Sequence, residues 1–479
     1  MLASRVQHPV ACRQRDRGII AAVSAAVLLA MLTWVLAAAT LPAAAAERQP
    51  AWLDYYGPTV DIDAWSDIAR GPGSTMFVAG VSGLTQGPGS KMTIAKFNAA
   101  GARVWQTPTI PGVKTWVGFG ASSRGYALAV DRHGDAIVAG YSSWSSGGFA
   151  VVKFSGADGS VIWWQDLQVN GYASAADVVL DRYGNAYVTG MAELSVPGFG
   201  IYTVKLAAAT GNPKWHDIYS GPQLNAANPL IAIDAARNTY VAGVVSGSGG
   251  DADWVTRKLS PSGKALWTKR WDAAHNDDNV RGIVTRADGR AIYVCGTAEN
   301  GTTNATDAVL MRYSASGRRV WMRRYTAFEA DSSAEDLCFD SDGSLLVCGF
   351  RRPLDTTKVV RSLLVKVTPI GRKAWLKSSP SPYNAAGDCM YSNVVAGASG
   401  SLYVSGLVEP SNTDAVTLVE KRGRTGRLVW RGVFGWADPS QSRAMKMARA
   451  GSTRLYVTAM VEKPQVDGFI DATIMGYKP

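Results

Sequence analysis

Histidine is scarce in this chain, with 4 in 479 residues. Outside the N-terminal segment only His133, His216 and His275 remain, and they fall in a turn, beside a recurring Trp and in a loop, as ordinary surface or half-buried residues do. Neither H-E-x-x-H nor G-x-S-x-G occurs, so the zinc-protease and nucleophile-elbow signatures are both missing. Cysteine is also rare, at 5, and no two are adjacent. Charged residues make up only 18%. Beyond the first 46 residues no stretch carries the 3.6-residue apolar period of an amphipathic helix. No basic run alternates with stacking aromatics, which argues against a nucleic-acid groove. The Asp-rich stretches Asp277-Asp278, Asp251-Ala252-Asp253 and Asp340-Ser341-Asp342-Gly343 lack the full carboxylate ladder of a calcium loop, and no metal is expected.

One long apolar run is present. Arg13, Arg15 and Arg17 precede an uncharged stretch from Gly18 to Ala46 that ends in Ala44-Ala45-Ala46 before Glu47. This is the layout of a secretory signal peptide over residues 1–46, with small residues at the cleavage site. Its apolar core is about long enough to span a bilayer, so an uncleaved membrane anchor is the alternative. In both cases residues 47–479 are expected outside the cytoplasm: secreted, periplasmic or at the cell surface. Cys12 precedes the apolar core and is not placed for lipoprotein acylation.

Glycine, by contrast, is abundant, at 50 residues. The stretch Asp177 to Tyr219 shows how it is used. Val178-Val179-Leu180 reads as a strand, Asp181 to Asn185 as a turn, Ala186 to Thr189 as a second strand ended by Gly190, Ile201 to Leu206 as a third, and Trp215 to Tyr219 as a fourth. The pattern recurs. A glycine ends the second strand at Gly80, Gly140, Gly190, Gly243, Gly296, Gly349 and Gly406, with Ala459 in the eighth slot, at spacings of 50 to 60 residues. The residue before it is always small, which implies a close approach of neighbouring backbone. A cation closes the third strand at Lys96, Lys153, Lys205, Lys258, Arg312, Lys366 and Lys421, most simply as a contact to a neighbouring turn. A Gly-x-x-x-Trp pair opens the fourth strand at Trp105, Trp163, Trp215, Trp267, Trp321, Trp375 and Trp430.

Four-stranded units of this length cannot bury their own faces and must stack on one another. The eighth unit lacks a Trp strand at its C-terminal end, and Trp52-Leu53-Asp54-Tyr55-Tyr56 matches what is missing. The expected fold is therefore all-β: one eight-bladed propeller over 47–479, closed by an N-terminal strand that completes the last blade.

These residues resemble the bacterial SBBP-type propeller repeat, with its Asp-turn-Gly-Asn-hydrophobic-Tyr-Val-Thr-Gly core. Asp181–Gly190 matches best; Asp131–Gly140, Asp234–Gly243 and Asp340–Gly349 match well; the first, seventh and eighth units lack the turn Asp, and the fifth is shortened. The Gly-x-x-x-Trp element is also similar to the quinoprotein propeller repeat, often eight-bladed. The adjacent cysteine pair of its alcohol-oxidising members is missing, so no cofactor is expected.

The formal charge of +11 falls to about +8 once residues 1–46 are set aside, and much of the excess lies late in the chain. It suits either attraction to an acidic polymer or charged strand edges that resist aggregation. The cysteines Cys295, Cys338, Cys348 and Cys389 are expected as free buried thiols, since Cys295 and Cys348 occupy a slot held elsewhere by Ala, Ser and Thr. The aromatics outside the repeat pattern are Trp65, Trp116, Trp144, Tyr172, Tyr383 and Trp436. Trp116, Tyr172, Tyr383 and Trp436 fall in the connections between blades, on one rim, and are the candidate binding residues. No catalytic residue stands out. The expected function is an exported, non-enzymatic binding or scaffolding propeller for a protein or polysaccharide partner, monomeric and without nucleic acid; membrane contact is expected only if the N-terminal segment is retained. The alternative is a hydrolase or lyase acting on envelope or extracellular glycan with loop carboxylates.

Overall fold

A computed structural model describes residues 46–478 except 57–63, 84–88, 107–121, 144–147, 168, 170, 195–197, 221–222, 247–251, 273–277, 301–304, 326–329, 354–358, 384–386, 410–414, 436–441, 451–453 and 463–469. The expected signal peptide or anchor falls outside these residues, apart from Ala46.

Eight four-stranded antiparallel meanders make up the described chain, the first seven in sequence order. The first strands, taken as the axial ones, are Ala64–Arg70, Ser123–Val130, Ala173–Leu180, Gln223–Ile233, Asn279–Thr285, Ala330–Phe339, Cys389–Ala396 and Ser442–Ala450, for blades 1 to 8. In blade 8 the fourth strand is Trp52–Tyr56, paired antiparallel with Ile470–Tyr477 so that Trp52 faces Gly476. The ring is thus closed by the N-terminal strand, as the sequence pattern requires. One further piece was not anticipated: Ala46–Glu47 runs parallel to Trp430 and Arg431 as a fifth strand on blade 7.

The repeat positions have distinct physical jobs. In blade 3 the Asp181 carboxylate accepts from Tyr183 N and Asn185 N, at 2.9 and 3.0 Å, and so closes its turn. Asp131 does the same for His133 N and Asp135 N. The third-strand cation then meets either this Asp or the next blade. Lys153 lies 3.0 Å from Asp131 and Lys366 2.5 Å from Asp340. Lys96 donates to Gly156 O and Arg312 to Pro369 O, each in the following blade.

Blade-to-blade contact rests on the repeat Trp. Trp163 Nε1 donates to Ala208 O at 2.9 Å, and Trp215, Trp267 and Trp375 donate to Pro261 O, Ala315 O and Arg424 O at 3.0 Å. The indole lies flat beneath the turn glycine of the next blade: a Cβ added to Gly211, whose φ is +71°, would sit 2.5 Å from the Trp163 ring. Only glycine serves both the left-handed turn and this contact. The glycine ending the second strand answers to a different constraint. A Cβ at Gly190 would lie 2.1 Å from Ser174 O of the same blade, because a bulge between Ala175 and Asp177 presses the first strand inward.

Apolar clusters fill the junctions between successive blades; one runs from Ala127 and Phe149 of blade 2 to Val178 and Tyr202 of blade 3. Trp65 belongs to such a core, 1% exposed within the first strand of blade 1, and not to a connecting loop. Cys295, Cys338, Cys348 and Cys389 are unpaired. Burial holds the Cys295 and Cys348 thiols well above their usual range.

Candidate functional site

Two loop sets meet on one face. Glu193 N, at the end of the second strand of blade 3, donates to Tyr172 O in the connection entering that blade, and Ser143 N donates to Ser122 O in blade 2. At this face the first strand of blade 2 carries a bulge. Arg124 faces Tyr141 and Gly125 faces Gly140, but the next pair is Ala127 with Ala139, so Tyr126 has no partner across the ladder. Such an extra residue leaves the pairing plane, and Tyr126 is 38% exposed.

Around it lie three more rings. Arg124 and Tyr141, being directly opposed, project to one side of the sheet. Tyr172 packs on Tyr141 with centroids 5.4 Å apart, and Phe199 meets Tyr172 edge-on at 5.9 Å. Tyr172 is held from behind, since its backbone N–H donates to the Glu193 carboxylate at 2.9 Å. Partial burial pushes the Tyr126 and Tyr141 phenols up, while the nearby Arg124 guanidinium acts in the opposite direction on both. The Arg124 side chain hydrogen-bonds the Tyr126 phenol, while its Nε is shielded from solvent and meets no acceptor among the described residues.

A second feature lies in the first strands themselves. In blades 1, 3 and 6 the residue following the bulge is Asp67, Asp177 or Asp336. Each carboxylate accepts from the next amide of its own strand and from an amide of another blade: Asp67 from Ile68 and Leu128, Asp177 from Val178 and Ile231, Asp336 from Leu337 and Val394, all at 2.8 to 2.9 Å. They are latches between first strands. In blade 8 the equivalent residue is Lys446, solvent-exposed by area yet deep within the ring. Burial pushes all three Asp up, Asp177 to about 6, with Lys446 pulling the other way. These positions stand thirteen residues ahead of the second-strand glycine or its Ala459 counterpart, a spacing that could have disclosed them in the sequence.

Of the four candidate binding residues, Tyr172 lies in the aromatic group just described. Tyr383, in the connection from blade 6 to blade 7, is half-buried, and its hydroxyl donates to Glu47 Oε1 at 3.0 Å. Burial, and next the Glu47 carboxylate, push its phenol well up. It ties down the N-terminal strand. Trp116 and Trp436 lie outside the described residues, as do Trp144 and His275. Tyr126, Tyr141 and Arg124 were not anticipated: they belong to strands, where Arg124 and Tyr141 pair in register and the bulge displaces Tyr126.

Among the described residues no group of three or more His, Cys, Asp or Glu could hold a metal ion. The Asp-rich stretches have other partners. Lys366 joins Asp340 and Asp342, and Arg270 pairs with Asp253.

No family model matches the chain, and no curated protein matches it. Solved structures are similar in fold. Quinohemoprotein alcohol dehydrogenase ADHIIG from Pseudomonas putida HK5 aligns with a TM-score of 0.52 at 11% identity, covering 90% of this chain and 76% of the other. A europium-containing methanol dehydrogenase aligns at 0.53 and 10% identity, covering 90% and 93%. At this identity the likeness carries the eight-bladed architecture and none of the chemistry.

Proposed function

We propose that this chain is an exported binding or scaffolding propeller without catalytic activity, holding a polysaccharide or protein partner on its loop face. The observation that carries the reading is the grouping of Tyr126, Tyr141, Tyr172 and Phe199, drawn from blades 2 and 3, with Tyr126 open to solvent. Flat amphipathic rings held by a rigid sheet suit sugar faces and protein anchors alike, because little side-chain freedom remains to be lost on contact. Export rests on the N-terminal basic and apolar run. The carboxylates of the first strands, each engaged by two amides, serve the ring and are not free for acid–base work.

The test uses residues 47–479 as bait against envelope glycans and proteins, beside the Tyr126→Ala/Tyr172→Ala double variant. Capture should fall at least tenfold in the variant, with the melting temperature within a few degrees of wild type. Equal capture by both would remove the site from this face. Turnover of a captured glycan would replace the binding reading with the hydrolase or lyase one.

A further inference from the structure

Resting on that reading, we infer that the ligand is an acidic polysaccharide, and that its carboxylate-bearing pyranose units are recognised at the junction of blades 2 and 3 by Arg124 beside the Tyr126–Tyr141–Tyr172 group. Three observations converge. The first is an unused donor. Arg124 Nε meets no acceptor among the described residues, an arrangement that costs free energy until one is supplied. The second is its setting: Arg124 opposes Tyr141 across the ladder and is two residues from the exposed Tyr126, so the guanidinium adjoins aromatic faces. A carboxylate on a pyranose ring matches both parts at once, offering paired acceptors to a guanidinium and a flat C–H face to a phenol ring.

The third observation is an asymmetry among the charges here. The carboxylates near this face are already engaged: Glu193 accepts from Tyr172 N at 2.9 Å, and Asp166 accepts from Ser142 Oγ at 2.5 Å. The cation hydrogen-bonds the Tyr126 phenol but meets no carboxylate among the described residues, whereas the nearby anions have partners. A net charge of about +8 over residues 47–479 brings an anionic polymer toward the propeller from any direction. A neutral glycan would stack on the same rings but leave Arg124 Nε unpaired.

The experiment titrates residues 47–479 by calorimetry with oligomers of galacturonate, of mannuronate and guluronate, and of a glucuronate-containing glycan. Each is run beside its methyl ester, which keeps the ring and removes the charge; neutral xylan oligomers and a sulfated glycan complete the set. At least one uronate should bind, roughly ten- to a hundredfold more tightly than its ester. Arg124→Gln should reduce that binding to the level of the ester, and affinity for the wild type should fall with added salt. Tyr126→Ala, at an exposed position, should weaken uronate and ester alike and serves as the second variant if Arg124→Gln misfolds. Equal binding of acid and ester, binding of the sulfated glycan alone, or uronate binding that survives Arg124→Gln overturns the inference. Binding of the neutral oligomers alone also overturns it, while leaving the broader binding reading in place; absence of any glycan binding with retained, Tyr126-dependent protein capture does the same.

Discussion

The seam between blades 2 and 3 and the seam between blades 7 and 8 use the same residue in different ways. At the first, Trp163 donates to Ala208 O under the turn of the next blade, and Lys153, paired with Asp131 of its own blade, also reaches Ala208 O at 3.5 Å. At the second, Trp430 is 2% exposed, stacks on Tyr477 at 5.6 Å and lies beneath the Arg48 guanidinium at 5.4 Å, while its Nε1 meets no acceptor. Blade 8 has no turn between its third and fourth strands, because those strands come from opposite ends of the described chain. The turn carbonyl that receives an indole N–H at the six junctions from blade 1 to blade 7 is therefore missing here, and stacking replaces it. Both tryptophans keep their apolar burial; only one keeps its polar contact.

Breaking the closure altogether should have the largest effect. A chain starting at Thr59 loses the Trp52–Tyr56 strand and the Trp52 ring, which stacks on Phe97 at 5.9 Å and packs on Tyr456. Removing a fully buried Trp costs roughly 3–5 kcal/mol; Trp52 is half-buried and contributes less, and the lost ladder adds to it. Urea unfolding of the two chains should show that loss; equal midpoints would mean that the ring does not depend on its closing strand.

Next in size is a paired substitution that isolates the indole N–H. Trp163→Phe should destabilise more than Trp430→Phe by about 0.5–1.5 kcal/mol, since the first removes the shorter of two bonds to the Ala208 carbonyl, leaving Lys153 Nζ at 3.5 Å, and the second removes a buried donor that meets no acceptor among the described residues. The loss of ring volume is common to both and cancels in the difference. Equal losses by chemical denaturation would show that stacking, not the hydrogen bond, governs both seams.

The smallest effect concerns the axis, where blade 3 has its Asp177 latch and blade 8 has Lys446. Burial raises the Asp177 carboxyl to about 6, above its unfolded value. The folded state thus binds the proton more tightly between about pH 4 and pH 6, and stability contributed by this group declines as pH rises through that window. Relative to wild type, Asp177→Asn should flatten this decline by about 1 kcal/mol, less than the full shift implies because the group adjoins water. Melting temperatures of both proteins across pH 4–7 give the slope; parallel curves would show that Asp177 does not titrate there.

Much of this architecture could be read directly from residue types at fixed intervals. Asp181, Lys205, Gly190 and Trp215 recur because each satisfies a need that every blade shares: a closed turn, a partnered cation, room for a bulge and a lid on the next blade. The candidate site was only partly open to such reading. Tyr172 stood out as an aromatic outside the repeat, but Arg124, Tyr126 and Tyr141 sat within strands where alternation alone does not say which way a side chain faces.

The sequence by itself determined the number of blades, the closing strand and the chemistry of the repeated contacts, because periodicity in a chain of equal units forces equal environments. The tertiary structure alone decided what the exceptions do. A bulge shifts the ladder by one residue and turns Tyr126 out, and stacking brings Phe199 against Tyr172 and Asp177 to the amide of Ile231. It also lays Glu47 along blade 7, within reach of Tyr383. These contacts join residues far apart in the chain through local breaks in register, and pairing across such distances is set by the geometry of the closed ring, not by the order of residues within any one blade.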